Sequence, residues 1–376
     1  MILKELTLRS FRNYNENTFE FSKHINILYG INGCGKTNIL EAIYILGNGI
    51  SFRTRLDREL IKYGNDNYFL RGIFKEDDLN YDTNIEIVYQ KKTKKVFINK
   101  KEITSRKNLI GKILYVIFLP NDTDMVTSEP KLRRDYFNML ISSISNEYLL
   151  SLIKYNKLLK MRNIYLTTSP NDAHIYNEDI AKLSLYIANE NKKYSMLLEE
   201  KMNEIYRTIF KNDNPYKIKY LSTIEDIANE NEYIKKLEST IKEQIKMRTT
   251  YFGIHRAEYQ FFYKDSLSRK FSSQGEKRML TLIMKLASEK ILYEYRKKSP
   301  ILLIDDAMLE LDNIKRESIL EYIKTLGQVF ITVTEKEKLS KFEESKVFDI
   351  VNIKNFIFNK LLYIIIVYVK LIINNQ

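Results

Sequence analysis

The sequence predicts an α/β fold, a parallel sheet bearing a phosphate-binding loop, its two halves separated by a helical lobe. Three observations predict it. Gly30-Ile31-Asn32-Gly33-Cys34-Gly35-Lys36-Thr37 fits G-x-x-x-x-G-K-[ST]; the apolar run Ile25 to Tyr29 precedes it, and Ile39, Leu40, Ile43, Tyr44 and Leu46 follow at helical spacing. Ile301-Leu302-Leu303-Ile304 is an unbroken apolar run ending in Asp305-Asp306. Between these, from about residue 121 to residue 248, apolar residues recur on helical stripes.

The first observation carries chemistry. Glycines let backbone N–H groups turn toward phosphate oxygens, and the helix that follows directs its positive end at the same anion. Gly30, Ile31, Asn32, Gly33, Cys34, Gly35, Lys36 and Thr37 are thus the candidate nucleotide-binding residues. Lys36 would reach the β- and γ-phosphates, and the Thr37 hydroxyl would ligate Mg²⁺. An apolar strand ending in an acid is the complementary half of a P-loop nucleotidase. Asp305 would hold Mg²⁺ and Asp306 would orient or deprotonate the attacking water, with Lys36 the second catalytic group. Asp is a weaker base than Glu by about 0.4 pK units, so slow hydrolysis is expected, a switch rather than a pump. A thiol at Cys34, beside a helix N-terminus, is expected to react readily.

The remaining elements follow in order. Ile2 to Leu8 alternates apolar and polar residues and predicts an edge strand. Ser10-Phe11-Arg12-Asn13-Tyr14 reads as a turn, and Gly47 to Arg55 as a loop. Strands are expected at Phe69–Phe74, Ile85–Tyr89, Val96–Ile98 and Leu114–Phe118. Ser128 can cap a helix with Pro130 in its first turn. Helical stripes then run through Leu132, Tyr136 and Leu140, through Ile180, Ile187, Leu198 and Ile205, and through Tyr233, Leu237 and Ile241. Each helix should hold roughly 30 residues, a length of about 45 Å. Ser273-Gln274-Gly275-Glu276 opens a further helix, and Val329 to Thr334 forms another strand. The domains expected are 1–120 and 249–353 as the two halves of an ATPase domain, 121–248 as the helical lobe, and 354–376 as an apolar tail of unknown role.

The composition narrows the partners. The 376 residues carry a formal net charge of +13, which favours a polyanion as partner, nucleic acid or an acidic membrane surface. Arg53, Arg55, Lys91, Lys92, Lys94, Lys95, Arg133 and Arg134 are candidates for its phosphates. A single cysteine, with a chain that opens as a strand rather than a secretory signal, predicts a cytoplasmic protein with no disulfide. The apolar run Leu361 to Val369 is shorter than the roughly 20 residues a membrane helix needs.

Taken together, the glycine loop, Ser273-Gln274-Gly275-Glu276 and Leu302-Leu303-Ile304-Asp305-Asp306 resemble the heads of ATP-binding-cassette ATPases. More narrowly, the chain resembles the RecF family of bacterial recombination mediators, within the SMC/RecF/RecN superfamily. The resemblance is carried by Phe11-Arg12-Asn13-Tyr14, Ser51-Phe52-Arg53-Thr54, Phe118-Leu119-Pro120-Asn121-Asp122, Ser128 to Arg134, Gly253-Ile254-His255-Arg256 and Leu309-Glu310-Leu311-Asp312, and it runs to about residue 353. It implies a P-loop NTPase of ABC-ATPase head type that binds ATP and Mg²⁺ and dimerises head to head. Ser273 and Gly275 would contact the γ-phosphate held on the partner copy, Glu310-Leu311-Asp312 would lie along the seam, and Thr332 or Thr334 would stand where cassette ATPases place a switch histidine. It implies binding to single- and double-stranded DNA, work with RecO and RecR in loading RecA, a place in the SOS response to DNA damage, and no membrane partner. Here Ala257-Glu258 stand where the family carries two acids after Gly-Pro-His-Arg. The alternatives are the nucleotide-binding subunit of an ABC transporter and a structural SMC-like head. Ser-Gln-Gly-Glu in place of Leu-Ser-Gly-Gly-Gln speaks against the former, and the short helical insertion against the latter.

Overall fold

The computed structural model describes residues 1–76, 81–211, 216–306, 313–334 and 345–353. The expectations for Leu309-Glu310-Leu311-Asp312 and for the tail 354–376 lie outside the described residues. The chain divides into two compact units, one of Met1–Leu119, Ser299–Leu309 and Leu320–Gln376, the other of Pro120–Lys298 and Glu310–Ile319.

Among the described residues, the first unit holds two sheets. One is an antiparallel meander in the order Tyr14–Glu20, Ile2–Phe11, Asn67–Lys75, Asp82–Gln90, Thr93–Ile98, Lys101–Ile103. The other is parallel throughout, in the order Lys346–Asp349, Ile25–Tyr29, Val329–Val333, Ile301–Ile304, Tyr115–Phe118. The helix Lys36–Asn48 packs its apolar residues into the core they share: Ile39, Ile43 and Leu46 are fully buried with Leu6, Leu70 and Ile85 of the meander and Leu303 and Phe330 of the parallel sheet. Packing here is close. A Cβ at Gly47 would fall 1.9 Å from the Tyr115 ring. Gln328 ties the two sheets together, accepting from Leu3 N at 2.7 Å and donating to Leu3 O at 2.8 Å and Ser22 O at 2.7 Å. It does so where the Ile2–Phe11 strand shifts register between Leu3 and Glu5.

Two expectations in this unit change. Ile2–Phe11 is an interior strand, paired on both sides. Alternation reports which face is buried, but not how many neighbours a strand has; the consecutive burial of Leu6, Thr7 and Leu8 is the better guide. The first helix runs on through Gly47 and Asn48 and ends where Gly49 takes φ 70.

The second unit is mainly helical: Pro130–Ile144, Asn146–Thr168, Asn177–Phe210 and Gln274–Arg296. These hold 15, 23, 34 and 23 residues, so the even length of about 30 was too simple. Glu129, not Ser128, stands at the N-cap position of the first, with no side-chain cap bond, and Pro130 follows at its first position. The stretch near Tyr233 makes two short helices, Glu230–Ser239 and Ile241–Met247. The strand Tyr216–Leu221 interrupts what the sequence suggested was wholly helical, and pairs with Glu258–Tyr263. Its period is two: Tyr216 and Ile218 are buried while Lys217 and Lys219 face solvent.

Beside these helices lies a buried polar network. Arg162 is wholly buried and donates to Asn177 Oδ1 at 3.0 Å, Gln244 Oε1 at 2.6 Å and Thr250 Oγ1 at 2.6 Å. All three partners are neutral, and burial lowers its pKa to about 10. The same arrangement holds His255, between Tyr155 Oη at 2.7 Å and Thr250 O at 2.8 Å. No helix among the described residues is long and apolar enough to cross a membrane.

Candidate nucleotide site

The site is built at the carboxyl ends of the parallel strands, where open α/β sheets bind ligands. The strand Ile25–Tyr29 runs into the glycine loop, and Gly30 N donates to Val333 O at 3.2 Å. Ile301–Ile304 ends in Asp305, whose N donates to Phe118 O at 2.9 Å. The loop, Thr37 and the acids are thus fixed by the ladder of the sheet.

Gly35 opens the helix at φ 115, in the region that favours glycine. A Cβ there would fall 2.7 Å from Asn13 Oδ1 and 2.9 Å from Tyr14 Oη. Those two side chains brace the loop from the Phe11–Tyr14 turn. Asn13 Nδ2 donates to Cys34 O at 3.1 Å, and Tyr14 Oη donates to Gly35 O at 3.0 Å. Taking up the loop carbonyls in this way suits a cradle whose N–H groups serve an anion. Lys36 is buried, and its Nζ donates to Gly30 O at 2.6 Å and Ile31 O at 3.1 Å.

Opposite the loop stands a hydroxyl–carboxylate cluster. Thr37 Oγ1 donates to Asp305 Oδ1 at 3.0 Å. Thr332 Oγ1 lies 3.0 Å from the same oxygen and 3.1 Å from Asp306 Oδ1, so its one proton is shared between the acids. It accepts in turn from Asp306 N at 2.9 Å. Burial raises the Asp305 carboxyl above its ordinary range, an effect opposed by the bonds from Thr37 and Thr332. Asp306 takes φ 45, a left-handed value Asp tolerates better than most residues.

A cavity of about 560 Å³ opens here, lined among others by Asn32, Gly33, Gly35, Lys36, Thr37 and Asp306. A third element borders it. Glu41 is fully buried on the Lys36–Asn48 helix and accepts from Arg12 Nε at 2.8 Å, Arg12 Nη2 at 2.7 Å and Ser51 Oγ at 2.5 Å, with Arg53 Nη1 3.6 Å away. Two guanidiniums share one carboxylate, so the Arg12–Glu41–Arg53 cluster is itself net positive.

Gly30 to Thr37, Asp305 and Asp306 therefore come together in the first unit. Ser273 and Gly275 belong to the second, where Ser273 caps Gln274–Arg296 through a reciprocal box with Glu276 (2.7 and 3.2 Å). Asn13, Tyr14 and Glu41 were not singled out for roles at the site. Glu41 left a signal, a lone carboxylate among the apolar positions of its helix. Of the basic candidates, Arg133 is unavailable to an outside phosphate: it is 2% exposed and pairs with Glu258 through Nε at 2.7 Å and Nη2 at 2.9 Å. Glu258, a departure from the family pattern, thus has a partner within its own unit. Lys94 is held by Asp57 at 2.8 Å, while Arg55, Lys91 and Lys92 are exposed.

The residues present fit a nucleotide with Mg²⁺. Among the described residues no three His, Cys, Asp or Glu side chains gather to hold a metal. Mg²⁺ at such a site requires only one or two protein oxygens besides phosphate and water, and the Thr37 hydroxyl and Asp305 carboxylate form such a pair.

A strand, glycine loop and helix facing an acid-ended strand two places along the same parallel sheet define a P-loop NTPase of the ABC-ATPase head type. The family described as RecF/RecN/SMC N terminal domain matches residues 2–356. The chain belongs to that family, and within it to RecF. It is 34% identical over 358 residues to the DNA replication and repair protein RecF of Clostridium perfringens (strain 13 / Type A), covering 94% of this chain and 99% of that one. It is 34% identical over 352 residues to the RecF of Leptospira interrogans (serovar Lai), covering 91% and 94%. A solved structure of the recombination mediator protein RecF with ATP, from the RecFOR pathway, matches with a TM-score of 0.82 at 31% identity, covering 89% of this chain and 92% of the other. An Smc head bound to the C-winged helix domain of ScpA matches with a TM-score of 0.55 at 16% identity and shares the fold alone.

Proposed function

We propose that this protein is an ATP-binding protein of DNA replication and recombinational repair, in which ATP closes a homodimer on DNA and slow hydrolysis reopens it. The observation that carries the reading is the Thr37–Asp305 hydrogen bond of 3.0 Å across from a braced glycine loop. The RecF relatives and the likeness to a RecF solved with ATP support it. Bound ATP supplies the transferable phosphoryl group, and Mg²⁺ its charge compensation. The chain's own residues do the rest: Lys36 gives up loop carbonyls for phosphate oxygens, Thr37 and Asp305 hold the metal, and Asp306 orients water.

Ser273 and Gly275 serve the γ-phosphate on the partner copy's loop. Gly275 lies just inside a helix start, and open space would surround a Cβ there. Neither packing nor a positive φ explains this glycine; close approach by something outside the chain would. The charge of +13 suits DNA, single- or double-stranded. RecR is the direct protein partner, with RecO and RecA acting downstream in the cytoplasm.

Fluorescence anisotropy of a labelled single-strand/double-strand junction, with ATP, with ADP and with Lys36→Met protein, tests the proposal. Tight binding with ATP alone, lost in the variant, is expected. Equal binding in all three would leave only the basic surface at work and overturn the ATP gate.

A further inference from the structure

The helix Asn146–Thr168 of the second unit is apolar on two sides. Its inner side buries Tyr148, Tyr155, Arg162 and Leu166. On the opposite side stand Leu150, Ile153, Lys157, Lys160 and Ile164, spaced alternately by three and four residues. That alternation is the repeat of a coiled-coil seam, and it spans about 21 Å. Leu150, Ile153 and Ile164 are 43, 45 and 43% exposed, and Lys157 and Lys160 face solvent between them. A hollow of about 560 Å³ runs beside the C-terminal part of this line, with Leu159, Lys160, Ile164 and Thr168 among its lining residues. One exposed leucine is ordinary. Three branched residues along one line of a helix whose core side is already filled are a surface suited to another helix.

Charge selects the occupant. Lys154, at the edge of the line, is held by Asp179 at 2.8 Å, but among the described residues no carboxylate pairs with Lys157 or Lys160. A second copy of this helix, parallel or antiparallel about the centre of the line, would set Lys157 against Lys157, and like charges so placed oppose binding. The stretch 354–376 contains no Asp or Glu to answer the lysines. Phosphates would answer them, but would leave Leu150, Ile153 and Ile164 in water. We propose that this face docks an acidic amphipathic helix of another protein, with apolar residues at the same alternating spacing and carboxylates opposite Lys157 and Lys160. The apolar ends supply contact and the charged centre fixes the register; the lysine stems lie along the seam with their ammonium groups at its edge. The helix holds none of the nucleotide-site residues, and the docking does not depend on that site.

Fluorescence anisotropy with the full chain tests it. The probe is a labelled peptide of about 21 residues, three heptads, with leucine at the seam positions except for glutamate at the central two; a second peptide carries lysine there. Wild-type protein should bind the glutamate peptide at least about tenfold more tightly than the lysine peptide, and Lys157→Glu with Lys160→Glu should reverse the preference. Ile153→Ser with Ile164→Ser should lose both peptides. Circular dichroism and ATP affinity should stay as in the wild type for each variant, so that a loss of peptide binding reports on this face alone. No saturable binding of the glutamate peptide by wild-type protein, or an unchanged preference after charge reversal, would overturn the docking face. A nucleotide-free dimer in sedimentation velocity that Ile153→Ser with Ile164→Ser dissolves would overturn it in favour of a second copy. Charge reversal that weakens DNA binding and leaves the peptide preference unchanged would overturn it in favour of nucleic acid.

Discussion

Thr37 and Asp305 stand 268 residues apart in the chain and 3.0 Å apart in space, hydroxyl to carboxylate. One begins the helix after the glycine loop, the other ends a strand two places along the parallel sheet from the strand that enters the loop. The two acids after that strand should separate binding from chemistry. Asp305→Asn is expected to lose Mg²⁺-dependent ATP binding. Asp306→Asn should keep binding and lose about 10²- to 10⁴-fold in hydrolysis, the usual worth of a positioned general base. Titration with and without Mg²⁺, beside single-turnover phosphate release, distinguishes them. An Asp306→Asn protein that hydrolyses at the wild-type rate would remove Asp306 from the chemistry. Wild-type turnover should fall below about 10 per second.

Gly35→Ala should abolish nucleotide binding while leaving the protein folded. The new methyl would meet Asn13 at 2.7 Å and Tyr14 at 2.9 Å, at a φ of 115. Removing the Asn13 side chain as well should not restore binding, because Tyr14 and the backbone conformation remain. Circular dichroism and ATP titration of the single and double variants check this; recovery in the double variant would reduce the effect to one clash.

Glu41→Gln should destabilise the first unit by about 3–5 kcal/mol, the cost of breaking a buried pair by removing one charge. Arg12 loses its bidentate carboxylate, and the amide that replaces it keeps one acceptor oxygen where Arg12 and Ser51 had two. Urea denaturation measures it. A loss below about 1 kcal/mol would mean that solvent reaches Arg12 and takes over.

His255 should make the protein acid-sensitive. Thr250 O can only accept, so Nε2 carries the ring proton and Nδ1 accepts from the Tyr155 hydroxyl. Burial lowers the imidazole pKa to about 4 from its ordinary 6.5. The unfolded chain therefore takes up the proton first as pH falls. Stability is intact above about pH 6.5 and is lost between there and pH 4, by at most about 3 kcal/mol. Urea titrations at pH 7.5 and 4.5 should show a smaller difference for His255→Gln than for wild type; equal differences would mean the ring titrates freely.

Alkylation at Cys34 should block ATP binding, and bound ATP should protect. The sulfur lies against Gly30, 2.8 Å from where a Cβ on that residue would fall, so an added group must crowd the loop. Unchanged affinity after complete modification by iodoacetamide would show that the loop accommodates it.

The sequence by itself determined what is local. Gly30 to Thr37 announced a strand, a turn and a helix, because left-handed glycines and apolar spacing are properties of a few adjacent residues. The four apolar residues before Asp305 marked a buried strand end in the same way. Tertiary structure alone decided which distant groups meet. Nothing in the alternation of Ile2 to Leu8 says that Tyr14–Glu20 and Asn67–Lys75 would flank it. Nothing near Arg133 names Glu258, 125 residues on, and nothing near Thr332 says that its hydroxyl would bridge two acids on the neighbouring strand. Periodicity encodes the face a residue buries. The partner it finds there depends on strand order and register, which are set by the packing of the whole core rather than by any one stretch of chain.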